Sequence, residues 1–235
     1  MEVIYHRLTQ TSISNATGVL VEASRLDFED FDLSRHDGVD GASAPAQVWL
    51  ALDNVTDPQN FGALLRSAAF LGIKGVVVSE RNSAPLSAST SKSSAGAMEY
   101  TPVHAVRNLS NWLQEVRGAG WKALGAAVGT ASGGDERNQT VVPQIDIQDY
   151  EHDGAKPVVL VLGSEGDGLR PNVRRQCDSF VHVSPQHTRD GVCVTNLGLD
   201  SLNVSVAGGI LMYKLTEALQ ARDDARENAD ATNLQ

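Results

Sequence analysis

Five consecutive apolar residues, Val158-Val159-Leu160-Val161-Leu162, constrain this chain more than any other stretch. A strand points successive side chains to opposite faces, so a run without polar alternates is apolar on both. Such a strand is stable only where helices cover both sides of its sheet, which is the parallel arrangement. The rest of the pattern agrees. Residues 47–52 and 75–78 read as further short buried strands, and strands are expected at 101–105, 122–128 and 180–183. Helices are expected over 60–71, where Leu64, Leu65, Ala68 and Leu71 share a face, and over 108–117, 170–177 and 202–219. Gly72 stops the first, and Pro171 suits the first turn of the third. Residues 83–97, rich in Ser and Ala, read as a loop plus a short helix. This alternation predicts an α/β fold, a parallel sheet flanked by helices.

Three segments stand outside it. Residues 1–46 hold one strand candidate at 18–23 and then a polar, acidic stretch over 27–45. Residues 129–156 lack periodicity and read as a surface excursion, and 221–235 read as a polar tail that frays. The acidity of the chain lies largely in these segments. The formal net charge is −10, an unexpected sign for a nucleic-acid partner. Residues 1–46 carry −5 and residues 217–235 carry −3, which leaves −2 for 47–216. Within that body, residues 129–157 hold six acids and two bases, so the remainder is +2. Cys177 and Cys193 are too few and too far apart for a zinc site, and no disulfide is required. His182 and His187 fit no metal spacing, so no metal is expected. No run approaches the roughly 18 apolar residues of a membrane span, and residues 1–25 show neither a secretory core nor an Arg-rich presequence.

Ligands of open parallel sheets bind outside the carboxyl ends of the strands. Three polar clusters fall there or on the helix starts that follow. The first is Asp57-Pro58-Gln59-Asn60-Phe61-Gly62 with Arg66 beyond it. The second is Gly163-Ser164-Glu165-Gly166-Asp167-Gly168, whose glycines let main chain approach a ligand closely. It is neither a dinucleotide fingerprint nor a phosphate-binding loop nor a nucleophile elbow. The third is Ser201-Leu202-Asn203-Val204-Ser205. Each also has a bland reading. Asn60 and Ser201 could be helix N-caps, Glu165 a carboxylate at a helix start, and Ser205 a close-packing residue. A solvated Arg66 fits less well, because Leu64, Leu65, Ala68 and Ala69 flank it; a half-buried guanidinium needs an anion such as Glu165 or a phosphate.

These blocks, in this order, resemble the SpoU family of RNA ribose 2′-O-methyltransferases, within the SPOUT group of trefoil-knotted enzymes. The resemblance covers about residues 47–216. It implies a parallel sheet with a deep C-terminal trefoil knot over about 158–216, a methyltransferase domain at 47–220, and a homodimer with the site near its interface. Periodicity itself reveals no knot. The resemblance also implies S-adenosylmethionine as cofactor, held by main chain near Gly163 and Val183, by the Val194 region and by Leu202, with RNA, foremost ribosomal RNA, as substrate. Asn60, Arg66, Glu165, Ser201 and Asn203 would form the catalytic constellation. An arginine is a poor base, so Arg66 is expected to bind a phosphate or stabilise the developing alkoxide, positioned by Asn60, Glu165 and Asn203. Ser201 either contacts the hydroxyl or caps the last helix. Residues 1–46 are either a remnant of a small RNA-binding domain or a simple extension.

One departure concerns the stretch before the third block. Family members commonly carry a short Ile-Pro-x-x-Gly run there, whereas this chain has the longer 184–200 loop. That loop looks more like the mitochondrial ribosomal-RNA branch, which makes the mitochondrion the expected compartment and the cytoplasm the alternative. Transfer RNA is the alternative substrate, and a catalytically silent cofactor- or RNA-binding module is the alternative function. The acidic balance favours the silent module, and the intact Asn60, Arg66, Glu165, Ser201 and Asn203 argue against it. An unknotted nucleotide enzyme ranks last, lacking a fingerprint loop.

Overall fold

The structure, a computed structural model, describes residues 26–36, 47–127, 142–152, 156–185 and 201–233, with side chains of the last helix described to residue 221. In chain order the strands are β1 (Glu29–Asp30), β2 (Val48–Leu52), β3 (Val76–Ser79), β4 (Val103–Val106), β5 (Lys122–Ala126), β6 (Gln144–Asp146), β7 (Val158–Leu162) and β8 (Ser179–His182). The helices are α1 (Pro58–Phe70), α2 (Ala88–Ser93), α3 (Leu109–Gly118), α4 (Pro171–Arg174) and α5 (Val204–Asn233). The strands form one sheet in the order β1-β4-β3-β2-β7-β5-β8-β6, with every neighbouring pair parallel. The expected α/β architecture is present.

At the centre, β2 and β7 pair residue for residue, from Val48 opposite Val158 to Leu52 opposite Leu162, and all ten positions are buried. Their alternate side chains feed two cores. Leu50, Leu52, Leu160 and Leu162 face α1 and α5, meeting Leu64, Leu65, Ala68, Leu211, Met212 and Leu215. Trp49, Ala51, Val159 and Val161 face α3 and α4, meeting Leu109, Trp112, Leu113, Val116 and Val173. The run at 158–162 is apolar throughout because it has no solvent side. Trp49, Trp112 and Trp121 are buried packing residues.

Several boundaries differ from expectation for identifiable reasons. Helix α1 starts at Pro58, because Asp57 accepts the N–H groups of Gln59 (3.2 Å) and Asn60 (3.1 Å), and proline tolerates the first helical position. Helix α4 is a single turn, since the Asp178 carboxylate accepts the Ala123 N–H (2.8 Å) and turns the chain into β8. Helix α5 continues to Asn233, through the stretch read as a tail; residues 217–233 contain neither Gly nor Pro and are rich in strong helix formers. The acidic segment before residue 47 is not featureless over 26–36. Strand β1 pairs with β4, and Phe31 packs edge-on to Trp112 (5.2 Å between ring centres), Trp49 (5.6 Å) and His104 (5.6 Å). The excursion read over 129–156 contributes β6, which pairs with β8, and Ile147 and Tyr150, which join the core. The strand candidate at 18–23 lies outside the described residues. The trefoil expected over 158–216 depends on the chain path through 186–200, which also lies outside them. Among the described residues no helix is long and apolar enough to cross a membrane.

Cys177 sits at the base of the α3–α4 core. Burial first, and then the neighbouring Asp178 carboxylate, push its thiol up to about 12. An unfolded thiol titrates near 8.5. The neutral thiol therefore favours the folded state fully below about that pH, and the contribution is lost as pH rises above it. At pH 8, alkylation of Cys177, followed on its tryptic peptide, is expected at the rate of unfolding and to become fast in denaturant. Rapid labelling of the native protein would contradict its burial.

Candidate functional site

The strand order reverses its direction of growth at β2 and β7. From β2 the chain adds β3 and β4 on one side, and β7 leads to β5, β8 and β6 on the other. The crevice at such a switch point, at the carboxyl ends of the strands, is where doubly wound sheets hold ligands. All three polar clusters converge there. The first follows β2 and opens α1, the second follows β7, and the third opens α5.

Their side chains meet directly. Asn60 donates from Nδ2 to Glu165 Oε2 (3.3 Å). Asn203 donates from Nδ2 to Asn60 Oδ1 (2.9 Å) and to Glu165 Oε1 (3.1 Å). The three residues span 143 positions of sequence and close a three-way clasp. Both carboxylate oxygens of Glu165 are engaged by amides. That arrangement suits a residue that holds the register of a loop.

Local structure explains how each side chain is free to do this. Because Asp57 caps α1, Asn60 is not the cap. It sits in the first turn with its amide available. At α5 the cap is Asn203, not Ser201. Asn203 Oδ1 accepts the N–H groups of Ser205 (2.9 Å) and Val206 (3.4 Å), and also the Ser205 hydroxyl (2.6 Å). Ser205, read as close packing, thus serves the cap. Asn203 does two jobs with its two ends, capping with oxygen and clasping with nitrogen. Ser201 lies two residues before the cap and is exposed. Close packing comes from Gly208 instead. A Cβ there would lie 2.5 Å from Leu64 and 2.7 Å from Leu162, so only glycine lets α5 approach α1 and the end of β7.

Arg66 departs from expectation. It is exposed, and no hydrogen bond or ion pair joins it to another described residue. Helical geometry accounts for this. Phe61, Leu64, Leu65 and Ala68 take the buried face, and Arg66 projects from the outer one, about 240° around the helix from Asn60 at about 100° per residue. Its expected anionic partner Glu165 is occupied by the two asparagines. An exposed outer position leaves the guanidinium available to an external anion.

The Glu165 loop is tightly folded. Ser164 and Gly168 exchange backbone hydrogen bonds (3.1 and 3.0 Å), and a Cβ on Gly163 would lie 2.2–2.3 Å from the Gly168 carbonyl group. Gly163 is half-buried, while Glu165, Gly166 and Asp167 are exposed and the Cα of Gly166 faces open space. Of the other expected cofactor contacts, Val183 is half-buried just past β8 and packs on the α1–α5 core. Leu202 is 47% exposed beside Asn203. Val194 lies outside the described residues. An exposed leucine and open glycine main chain at the carboxyl edge suit the apolar and hydrogen-bonding surface of an adenosine.

Two groups escaped the sequence reading. Asp57 was legible, since Asp-Pro is a helix-start signature. Asp53, fully buried at the end of β2, was not: its partner Arg170 is 117 positions away.

Comparison with known proteins places this geometry. The profile of the "SpoU rRNA Methylase family" matches residues 47–213, which includes all three clusters. The mitochondrial rRNA methyltransferase 1 of Homo sapiens is 42% identical over 171 residues, which is 73% of this chain and 46% of that protein. The 23S rRNA (guanosine-2′-O-)-methyltransferase of Pseudomonas aeruginosa is 32% identical over 213 residues, 83% of this chain and 75% of its own length. The chain thus spans about half the length or less of the mitochondrial relatives it matches. Among solved structures, the SpoU methyltransferase AviRb of Streptomyces viridochromogenes, in complex with AdoMet, shares the fold with a TM-score of 0.58 at 22% identity, over 86% of this chain and 67% of its own.

Asn203→Ala removes the cap of α5 and is expected to lower stability by about 1–2 kcal/mol. Ser201→Ala is expected to stay within about 0.5 kcal/mol of wild type. Urea denaturation of both variants checks this, and equal losses would mean that Ser201 shares the cap.

Proposed function

Because the chain belongs to the SpoU rRNA methylase family, we propose that it transfers a methyl group from S-adenosylmethionine to a ribose 2′-hydroxyl of RNA, ribosomal RNA before transfer RNA. The observation that carries this reading is the Asn60–Glu165–Asn203 clasp. Three motifs far apart in sequence meet at the carboxyl edge of β2 and β7. Packing alone does not require two amides and a carboxylate on that edge.

S-adenosylmethionine, when bound, supplies an electrophilic methyl group on a sulfonium. Gly163, Val183, the Val194 region and Leu202 would hold it. Methyl transfer is an in-line displacement, so alignment of the two reactants supplies much of the gain. Asn60, Glu165 and Asn203 hold the α1 start, the β7 loop and the α5 start in one arrangement, which is the alignment task. Arg66, exposed and with no partner among the described residues, would bind the phosphate of the target nucleotide or stabilise the alkoxide that forms as the hydroxyl gives its proton to water. Ser201, released from capping, is free to contact the hydroxyl.

The same reading takes 47–220 as the methyltransferase unit and 1–46 as an extension or the remainder of an RNA-binding domain. It takes the segment 158–216 as a trefoil knot. It also takes the protein as a homodimer through α5, where Val206, Ile210 and Tyr213 are exposed at 51%, 37% and 51%. Their spacing of four and three residues puts them on one helical face. Names of relatives that include "mitochondrial" support the mitochondrion as compartment, which imaging of the tagged full-length protein tests.

Titration calorimetry with S-adenosylmethionine tests the activity first. Saturable binding is expected for the wild type and none for a variant disrupted over 195–203. No wild-type binding would favour a catalytically silent relative. In the same series, Arg66→Ala is expected to bind cofactor normally and to methylate RNA about 100-fold more slowly or worse; methylation at the wild-type rate removes Arg66 from the mechanism. For the dimer, sedimentation equilibrium should show two copies for the wild type and one for Ile210→Asp. A monomeric wild type would overturn that assignment.

A further inference from the structure

The clasp leaves one problem open. Glu165 sits at the exposed tip of a glycine-rich loop, and two amide hydrogen bonds at the surface cannot hold such a loop by themselves. Something must fix its stems. The loop leaves β7 at Gly163 and ends at Leu169, and both of its ends lead to one residue, Asp53.

Asp53 follows β2 immediately and is fully buried. Its backbone N–H donates to the Leu162 carbonyl (2.8 Å), the last residue before the loop. Its carboxylate holds the first residue after the loop: Oδ2 accepts the Arg170 backbone N–H (2.8 Å), and Oδ1 accepts Arg170 Nε (2.7 Å), with the terminal guanidinium nitrogen at 2.6 Å. The same guanidinium donates to the Ser79 hydroxyl (3.3 Å) at the end of β3. One carboxylate therefore grips both the main chain and the side chain of Arg170, and through it ties the carboxyl ends of β3, β2 and β7. Holding one residue by its main chain on Oδ2 and its guanidinium on Oδ1 fixes orientation as well as distance. Asp53 also begins the connection to α1. Asn54 beside it has φ +60°, a left-handed conformation that asparagine adopts more readily than most residues, and its buried Oδ1 has no hydrogen-bond partner among the described residues.

We infer that Asp53 and Arg170 are positioning residues, acting through the Glu165 loop to set the clasp with Asn60 and Asn203. The kinetic part of this inference rests on the methyl-transfer reading, while the structural part does not. The pair touches neither of the asparagines directly. Its effect reaches them by holding the two stems of the loop at the register where Glu165 meets both amides.

The test uses Arg170→Ala, which removes the grip, and Arg170→Lys, which keeps the charge and loses the fork of donors. The side-chain amide NMR signals of Asn60 and Asn203 are followed in each, beside Glu165→Gln as the reference for a broken clasp. Both Arg170 variants are expected to shift these signals toward the Glu165→Gln positions, with the Trp112 and Trp121 indole signals in place. Where wild type methylates RNA, kcat is expected to fall about 10- to 100-fold with a smaller change in KM. Adding Glu165→Gln to Arg170→Ala is expected to cost little beyond Glu165→Gln alone, because both act on one unit. Unchanged amide signals in a folded Arg170→Ala overturn the inference, as do losses that multiply in the double variant. Loss of the fold in both Arg170 variants would assign the pair to stability and overturn it too. An inactive wild type would instead sink the methyl-transfer reading and leave the amide signals to decide this one.

Discussion

Val48–Leu52 and Val158–Leu162 lie side by side in parallel register, every side chain buried. Fully burying one Val or Leu contributes about 1.5–3 kcal/mol, and this pair contains eight of them beside Trp49 and Ala51. The requirement to cover both faces then dictates the layers. Helices α1 and α5 lie on one side, α3 and α4 on the other. Because β2 and β7 are adjacent in space and distant in sequence, their carboxyl ends bring together loops that no local interaction would join. The crevice between those ends exists because the central pair exists.

Magnitudes decide what holds the candidate site together. The hydrogen bonds among Asn60, Glu165 and Asn203 are exposed, and each such bond contributes about 0.5–1.5 kcal/mol net. Three of them do not assemble elements that must lose far more conformational entropy. The elements are held instead by buried contacts: the β2–β7 pair, the close approach at Gly208, and the Asp53–Arg170 ion pair. In that pair the Asp53 carboxylate is fully buried while the Arg170 side chain is 36% exposed, so solvent screens part of the attraction. The buried contacts assemble the elements, and the clasp sets the register of their exposed ends.

Much of this was legible before any coordinates. The strands at 47–52, 75–78 and 158–162 are apolar runs, and such runs have few alternatives to burial. Helix α1 was legible from its apolar face, though its start was read two residues late because Asn60 resembles a cap as well as Asp57 does. At α5 the same ambiguity ran between Ser201 and Asn203. Both residue types cap helices, and which one does depends on where the packing of Leu211, Met212 and Leu215 against the sheet lets the helix begin. Arg66 was misread as half-buried because its sequence neighbours are apolar. Adjacent residues on a helix are about 100° apart, so apolar neighbours in sequence do not imply burial. Strands β1 and β6 were missed because two- and three-residue edge strands carry no periodicity. Their partners in β4 and β8 alone define them.

The sequence by itself determined the layer architecture, since apolar runs and helical faces are local patterns with a single stable solution. It also determined which residues are candidates for chemistry, because Asn60, Glu165 and Asn203 are polar where packing does not ask for polarity. Only the tertiary structure decided which of them touch. Contact between Asn60 and Asn203, or between Asp53 and Arg170, is set by strand order and by how closely α5 approaches α1 at Gly208. Strand order and helix approach arise from the simultaneous burial of segments more than a hundred residues apart. No pattern within either segment records its partner.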